Sequence, residues 1–288
     1  MMRVIFLLLC TPLFAAISYP QTNWAVYHDL HTVEPFRIVG NIYYVGSDDV
    51  TSYLFVTPKG NILLDSGPKE MVPLIKSNIE KLGFKLSDVK IILNSHAHYD
   101  HAAGIADIRR LTGAKFLASA PDAPLLERGG KSDPNFGDKY LFEPTKPDKT
   151  FNNGERVSLG GTTLAANITP GHTKGCTTWT TTVEEGGQQL NVMFVCSVSS
   201  PGYKLVGNSE YPDIEADYAR SFEWFKNAKV DVFLVSHAAF FDLEGKMKLL
   251  KAGSKTNPFI DPEGYKKYIA ESEKEFNQTL NDQRAAKK

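Results

Sequence analysis

The run from Asn94 to His101, which reads NSHAHYDH, constrains this chain more than any other stretch of its sequence. It places three histidines and one aspartate within six positions. Imidazole nitrogen and carboxylate oxygen are ligands that zinc accepts at about 2.0–2.2 Å. A helical zinc site has histidines at i and i+4, as in HExxH. Here the first two are two residues apart, on one side of an extended segment. The run therefore predicts a metal-binding loop at the end of a strand.

The elements around this run alternate between short strands and helices. Turn-like Gly, Pro, Asn and Asp residues separate the β-type runs. Apolar residues at helical spacing indicate a helix over 69–82. A buried strand is predicted over 89–93, directly before the histidine loop. Strands are predicted at 36–39, 42–45, 52–57, 61–65, 89–93, 115–118, 156–159, 163–168, 177–183, 190–195 and 230–235, with helices at 69–82, 104–111, 214–227 and from 261 onward. This order favours an α/β fold of two stacked sheets with helices on the outer faces.

A long segment rich in Gly, Pro, Asp and Lys, residues 127–156, separates the two halves. We predict a surface loop there that borders a site. Two further histidines follow predicted strands: His172 comes after the turn sequence Thr-Pro-Gly, and His237 ends the run Leu-Val-Ser-His. Sites in layered α/β folds are built at strand ends, so five histidines and one aspartate can converge. His28 and His31 lack a partner motif and are interpreted as surface residues.

Composition and the N-terminus limit the classes of function. The chain has 288 residues, 42% of them hydrophobic, and a net charge of −1, which gives nucleic-acid binding little electrostatic support. Residues 1–18 combine an early Arg, a short apolar run and small residues at positions 16 and 18. This pattern is typical of a secretory signal peptide, and the apolar run is too short to span a membrane. We predict a periplasmic or secreted protein with one mature domain over 19–288.

Export changes how the cysteines are interpreted. Cys10 leaves with the signal peptide, and Cys176 and Cys196 remain. Two cysteines in an oxidising compartment predict one disulfide, and two buried thiols are the alternative.

The pattern HxHxDH over 96–101, followed by His172 and His237, resembles the metallo-β-lactamase superfamily. The resemblance implies a four-layer αβ/βα sandwich with two zinc ions at one rim. It implies a first zinc held by His96, His98 and His172, and a second held by Asp100, His101 and His237. Asp65, in the sequence LDSG, matches the buried aspartate that supports the ligands in this family. The alternative is an ordinary turn aspartate at a strand end.

One segment separates branches of the superfamily. Most branches other than the β-lactamases carry a metal-bridging aspartate after the strand that follows His172, but residues 194–203 read FVCSVSSPGY and contain no carboxylate. This pattern resembles subclass B3 of the metallo-β-lactamases, in which a serine corresponds to Ser197. Cys176 and Cys196 match a disulfide pair of several B3 enzymes, and a disulfide sulfur is not the thiolate that zinc binds.

The B3 resemblance implies hydrolysis of the β-lactam amide bond by a metal-bound hydroxide, without an acyl-enzyme. Asp100 would orient the nucleophile, Ser197 would bind solvent and substrate, Ser199 would contact the substrate carboxylate, and Tyr203 would support the oxyanion. Ordinary loop polarity is the alternative for the two serines and the tyrosine. The predicted partner is a small-molecule β-lactam substrate, and the protein is predicted to be a monomer. The rival hypotheses are a lactonase or thioester hydrolase with the same zinc site, and a periplasmic zinc-binding protein without activity.

Overall fold

The computed structural model describes residues 30–287. The predicted signal peptide over 1–18, Cys10 and His28 therefore lie outside the described residues. The strands are β1 (Phe36–Val39), β2 (Ile42–Tyr44), β3 (Tyr53–Phe55), β4 (Asn61–Leu64), β5 (Val89–Leu93), β6 (Lys115–Ser119), β7 (Lys149–Phe151), β8 (Arg156–Leu159), β9 (Thr162–Ile168), β10 (Thr177–Glu185), β11 (Gln188–Val195) and β12 (Val232–Val235). The α-helices are α1 (Val72–Lys81), α2 (Tyr99–Ala102), α3 (Ile105–Thr112), α4 (Ala123–Glu127), α5 (Ile214–Asn227), α6 (Leu243–Lys251) and α7 (Pro262–Ala285).

The strands form two sheets. The first has the order β1-β2-β3-β4-β5-β6-β7 and changes from antiparallel to parallel pairing at β4. Parallel neighbours need a crossover, and α1 and α3 supply it on either side of β5. The second sheet has the order β12-β11-β10-β9-β8, in which only the β11–β12 pair is parallel.

Alternation along the strands sends side chains into two cores. On β3, Tyr53 and Phe55 point to the second sheet, and their ring centroids lie 5.0 and 5.1 Å from that of Phe194. Leu54 between them points the other way and packs in a cluster with the buried residues of α1 and α3. On the far side of the second sheet, α5 and α7 pack together through Tyr218 and Phe276, with centroids 4.7 Å apart. The predicted order of helix, sheet, sheet and helix is confirmed.

The prediction that residues 127–156 form one loop is wrong near its end. Lys149–Phe151 forms β7, which extends the first sheet by pairing parallel with β6. Phe151 is buried against Trp179, with ring centroids 5.0 Å apart. A three-residue strand with a single apolar residue carries no periodicity that sequence reading could detect. Among residues 30–287, none of the helices combines the length and the apolar character that a membrane span needs.

Candidate metal centre

The predicted ligands lie at one edge of the two sheets because the strands before them end there. His96 and His98 follow β5, His98 has extended backbone directly before α2, and α2 carries Asp100 and His101. His172 follows β9, and His237 follows β12 directly. In the second sheet, β9 and β12 run in the same direction through the pairings of β10 and β11. Their ends therefore meet the end of β5 across the gap between the sheets.

The first group of candidate ligands is the one that the resemblance implied. One donor atom from each of His96, His98 and His172 lies within 4.8 Å of the others, and all three side chains are buried. His98 Nδ1 and His172 Nε2 are 3.1 Å apart. Three nitrogens at this separation can share one tetrahedral metal ion with a fourth position left for water or substrate.

The second group, Asp100, His101 and His237, also converges. Asp100 Oδ2 lies 3.1 Å from His101 Nε2 and 3.3 Å from His237 Nε2. The two imidazole nitrogens are 3.4 Å apart. His96 lies within the same reach of Asp100 and His101, so the two groups adjoin and can hold neighbouring ions.

Burial and neighbouring charges shift the pKa values of the candidate ligands in directions that favour binding of a cation. Burial and neighbouring histidines hold the pKa of His96 and His172 well below the usual value, so both rings are neutral with a free lone pair at neutral pH. Burial alone would raise the pKa of Asp100, but the adjacent His101 and His237 lower it well below its usual range. Burial alone would lower the pKa of His101, but Asp100 and Asp65 raise it to about 10. A buried carboxylate thus holds a proton on its histidine neighbour where a metal ion can replace it.

The residues present fit a metal because several of their buried polar atoms lack any hydrogen-bond partner. His96 Nε2 and both carboxylate oxygens of Asp100 are in this position among residues 30–287. Buried polar atoms are rarely left without a partner, since each costs about 1–3 kcal/mol. The donor set of imidazole and carboxylate is one that zinc accepts. Metal binding is therefore the explanation that the geometry favours for these atoms.

The predicted role of Asp65 as a support for the ligands agrees with its position after β4. Its carboxylate accepts hydrogen bonds from Ser95 N at 2.6 Å and Ser95 Oγ at 2.8 Å, and lies 3.3 Å from His101 Nδ1. Ser95 Oγ in turn contacts His96 Nδ1 at 2.9 Å. Such contacts orient imidazole ligands through the nitrogen that faces away from the metal.

Sequence reasoning missed three further aspartates that hold the centre. Asp49 Oδ1 lies 3.0 Å from His237 Nδ1, and Asp133 Oδ2 lies 3.3 Å from His98 Nε2. Asp122 is buried and accepts three hydrogen bonds from the loops that carry His98 and His172. None of these aspartates belongs to a spacing motif, and each comes from a distant part of the chain. The sequence carries no signal that would have found them.

The predicted substrate-contacting residues lie beside His172. Ser199 O accepts the Nδ1 hydrogen bond of His172 at 2.8 Å, which leaves Nε2 free for the first group. The hydroxyls of Ser197 and Ser199 are 3.0 Å apart. Tyr203 is buried, and its hydroxyl lies 3.3 Å from His172 Nδ1. This position behind the ring favours orientation of His172 over the predicted oxyanion contact.

The structure also tests the predicted disulfide, the segment predicted to border the site, and His31. Cys176 and Cys196 form the predicted disulfide, with Cα atoms 5.8 Å apart, so neither sulfur is a thiolate ligand. The segment expected to border the site does so: Gly130, Asp133, Phe136 and Tyr140 line a small cavity with His98 and Asp100. His31 is exposed and pairs through its backbone with Asp48. It is not among the groups of candidate metal ligands.

Comparison with known proteins agrees with this geometry. The family model of the metallo-β-lactamase superfamily matches residues 45–184. The native FEZ-1 metallo-β-lactamase from Legionella gormanii superposes with a TM-score of 0.87 and 47% identity, over 88% of this chain and 98% of that chain. BJP-1, a subclass B3 metallo-β-lactamase of Bradyrhizobium japonicum, superposes with a TM-score of 0.85 and 40% identity, over 90% of this chain and 98% of that chain.

A curated relative shares a shorter stretch. The hydroxyacylglutathione hydrolase of Rhodospirillum rubrum is 33% identical over 96 residues, which are 33% of this chain and 29% of that protein. This match therefore spans less than a third of the relative's length. By the family model, the fold and the nearly full-length similarity to solved β-lactamase structures, the chain belongs to the metallo-β-lactamase superfamily.

Proposed function

We propose that this metal-dependent hydrolase is a zinc β-lactamase of the B3 type, which opens the β-lactam amide bond with two zinc ions and no acyl-enzyme. The observation that carries the proposal is the convergence of six side chains in two adjoining groups, beside a segment without a carboxylate. That segment, residues 196–200, contacts the centre through Ser199 and His172. Similarity to β-lactamases over almost their whole length supports the same substrate class.

In this proposal, some residues of the chain bind zinc and Asp100 orients the attacking water. When bound, zinc supplies a Lewis acid and lowers the pKa of coordinated water towards about 7. The neutral rings of His96 and His172 offer their lone pairs inward because burial lowers their pKa. Asp100 Oδ1 has no hydrogen-bond partner among the described residues. It can therefore accept a proton of the attacking water and orient that water towards the carbonyl carbon.

Substrate binding is assigned to the two serines beside His172. Their hydroxyls, 3.0 Å apart, form a polar pair next to the first group. Ser197 is buried and Ser199 is half-buried. We propose that they donate hydrogen bonds to the carboxylate of the β-lactam, while Tyr203 holds His172 from behind. A hydroxyl nucleophile is not needed in this scheme, because water attacks directly.

Location and assembly stay predictions. The disulfide Cys176–Cys196 agrees with an oxidising compartment. Together with the signal-peptide pattern of residues 1–18, it supports a periplasmic or secreted protein. A single mature domain over 19–288, a monomeric state and a small-molecule substrate complete the proposal.

Hydrolysis of nitrocefin and of a carbapenem, with and without prior chelation, tests the proposed function. We expect zinc-dependent turnover that thorough treatment with EDTA abolishes and added zinc restores. His96→Ala should reduce kcat/KM by more than about 100-fold, since loss of a ligand costs more than loss of its supporting partner. His31→Ala, on the exposed surface, is the matched control and should keep wild-type activity. Turnover that survives complete removal of zinc would contradict the proposal.

A thioester hydrolase is the second candidate, because part of the chain is similar to a hydroxyacylglutathione hydrolase. A lactonase with the same zinc site belongs to the same alternative. Lactoylglutathione and homoserine lactones in the same substrate panel distinguish these activities. Preference for either over every β-lactam would replace the proposed substrate class. Two bound zinc ions per chain with no hydrolysis of any panel substrate would instead favour a zinc-binding protein.

A further inference from the structure

The turn formed by residues 133–137, called here the 133–137 turn, lies directly against a candidate metal ligand. Asp133 Oδ2 is 3.3 Å from His98 Nε2, and the side chains are 6% and 5% exposed, respectively. His98 Nε2 has no partner in hydrogen-bond geometry among residues 30–287. The Asp133 carboxylate, at 3.3 Å, is therefore the acceptor available for a proton on His98 Nε2.

The 133–137 turn holds the Asp133 carboxylate in a fixed orientation. Its other oxygen, Oδ1, accepts hydrogen bonds from the backbone amides of Asn135 at 2.8 Å and Phe136 at 2.9 Å. The backbones of Asp133 and Gly137 exchange two further hydrogen bonds of 3.0 and 2.9 Å. With Oδ1 occupied by the turn, Oδ2 is left to face His98.

An aromatic contact from the same turn completes the enclosure of His98. The Phe136 ring lies edge-on to the His98 ring, with centroids 5.2 Å apart, and contacts Tyr203 at 5.4 Å. The His98 and Asp133 side chains beside these rings are only 5% and 6% exposed, respectively, so little solvent reaches them. A charged hydrogen bond is strengthened in such a low-dielectric environment.

We infer that Asp133 is a positioning residue for the first zinc: it accepts the Nε2 proton of His98, so that Nδ1 presents its lone pair beside His96 and His172. In a neutral imidazole only one nitrogen carries a proton. A fixed acceptor at Nε2 therefore selects the tautomer in which Nδ1 can bind metal. Because coupling between sites is reciprocal, zinc at the first group stabilises the 133–137 turn in return.

This inference rests on the proposed zinc site, and Asp133→Asn tests it. The amide oxygen of asparagine can still accept the backbone amides of Asn135 and Phe136, so the turn and the fold are kept. Its amino group, however, presents a donor to His98 Nε2 and favours the tautomer that is wrong for metal binding at Nδ1. Asp138→Asn is the matched control, because Asp138 is exposed and its carboxylate accepts the Ser132 amide in the same loop.

Zinc affinity is measured by competition with a chromophoric chelator, and the site is checked by the absorption spectrum of the cobalt-substituted protein. We expect Asp133→Asn to weaken one of the two zinc sites by about 10- to 100-fold and to alter the cobalt spectrum. Asp138→Asn should match the wild type in both. Zinc should also slow amide hydrogen exchange in the 133–137 turn of the wild type.

Two results would overturn the inference in distinguishable ways. If Asp133→Asn binds zinc as tightly as the wild type and Asp138→Asn, Asp133 does not position His98. If the wild type itself binds no zinc, the proposed function fails and this inference fails with it.

Discussion

Asp122 illustrates how one buried side chain joins two distant loops of the centre. Its carboxylate accepts the backbone amide of Ala97 at 3.0 Å, the Thr173 hydroxyl at 2.8 Å and the backbone amide of Gly175 at 2.7 Å. The first donor lies between His96 and His98, and the other two lie within three residues after His172. The distance between the two loops, and hence the geometry of the first group, therefore depends on this residue.

Asp122→Ala should lower the free energy of unfolding by about 2–4 kcal/mol, because it leaves buried donors without an acceptor. Urea denaturation followed by circular dichroism measures the change. Thr173→Val is the control, since it removes one of the three hydrogen bonds at nearly constant volume and should cost about 1 kcal/mol. Equal losses for the two variants would show that Asp122 does not act as a shared acceptor.

The start of α7 shows how two helices and the second sheet are held together. The Asp261 side chain caps the helix by accepting the Gly264 amide at 2.9 Å. It also contacts Lys246 Nζ of α6 at 2.9 Å. Lys246 is buried, and its ammonium group lies 4.6 Å from the centre of the Phe233 ring of β12. A buried ammonium without its carboxylate would be strongly destabilising.

Asp261→Asn keeps the helix cap but removes the charge that faces Lys246. We expect a loss of about 1–2 kcal/mol at pH 7, below the usual cost of breaking a buried pair because Asp261 is partly exposed. Asp242→Asn is the control, since Asp242 caps α6 in the same way through Gly245.

The effect of Asp261 on stability should depend on pH in a defined direction. Burial alone would raise its pKa, but Lys246 and the Gly264 amide outweigh burial and lower it below the usual value. A carboxyl with a lowered pKa in the folded state stabilises above its unfolded pKa of about 3.9, and this contribution is lost as the pH falls through the folded value. The difference between wild type and Asp261→Asn should therefore shrink below about pH 4. A difference that grows in acid would contradict this assignment.

On the scale of the whole molecule, the candidate metal centre lies between the two sheets and draws ligands from both. The loop after β5 in the first sheet and the following helix α2 supply four of the candidate ligands, and the loops after β9 and β12 in the second sheet supply His172 and His237. Direct hydrogen bonds also join the two halves at this edge, such as the Thr51 amide donating to Ser236 O at 3.1 Å and the Thr177 amide donating to Ser95 O at 2.8 Å. Bound metal should therefore stabilise the folded state as a whole.

Removal of zinc by chelation should lower the melting temperature. Free zinc at about 100 times its dissociation constant stabilises a protein by about 2.7 kcal/mol, which corresponds to roughly 5–10 °C for a chain of this size. Calorimetry of the protein with zinc and after chelation measures the shift. His237→Ala should show a smaller shift, because one ligand is missing. An unchanged melting temperature in a protein that demonstrably holds zinc would mean that the unfolded chain binds zinc as tightly as the folded one, so that binding does not require the assembled centre.

Local sequence determined which side chains of this protein can act as metal ligands. The spacing of His96, His98, Asp100 and His101 is a property of one short segment, and the strand before it and the turn after it follow from neighbouring residues. The positions of His172 and His237 at strand ends were predictable for the same reason, and the resemblance they complete implied the two groups that the structure brings together.

Only the tertiary structure decided what surrounds these ligands. Asp49 contacts a residue 188 positions away along the chain, and Asp133 contacts one 35 positions away. Asp122 contacts residues 25 and 51 positions away. No periodicity relates such residues, because their contacts depend on how the two sheets stack and where the loops between them return. The same holds for β7, which is a strand only because β6 offers it an edge. The sequence alone thus determined which groups can bind a metal, while packing decided which proton each of them holds and how firmly it is oriented.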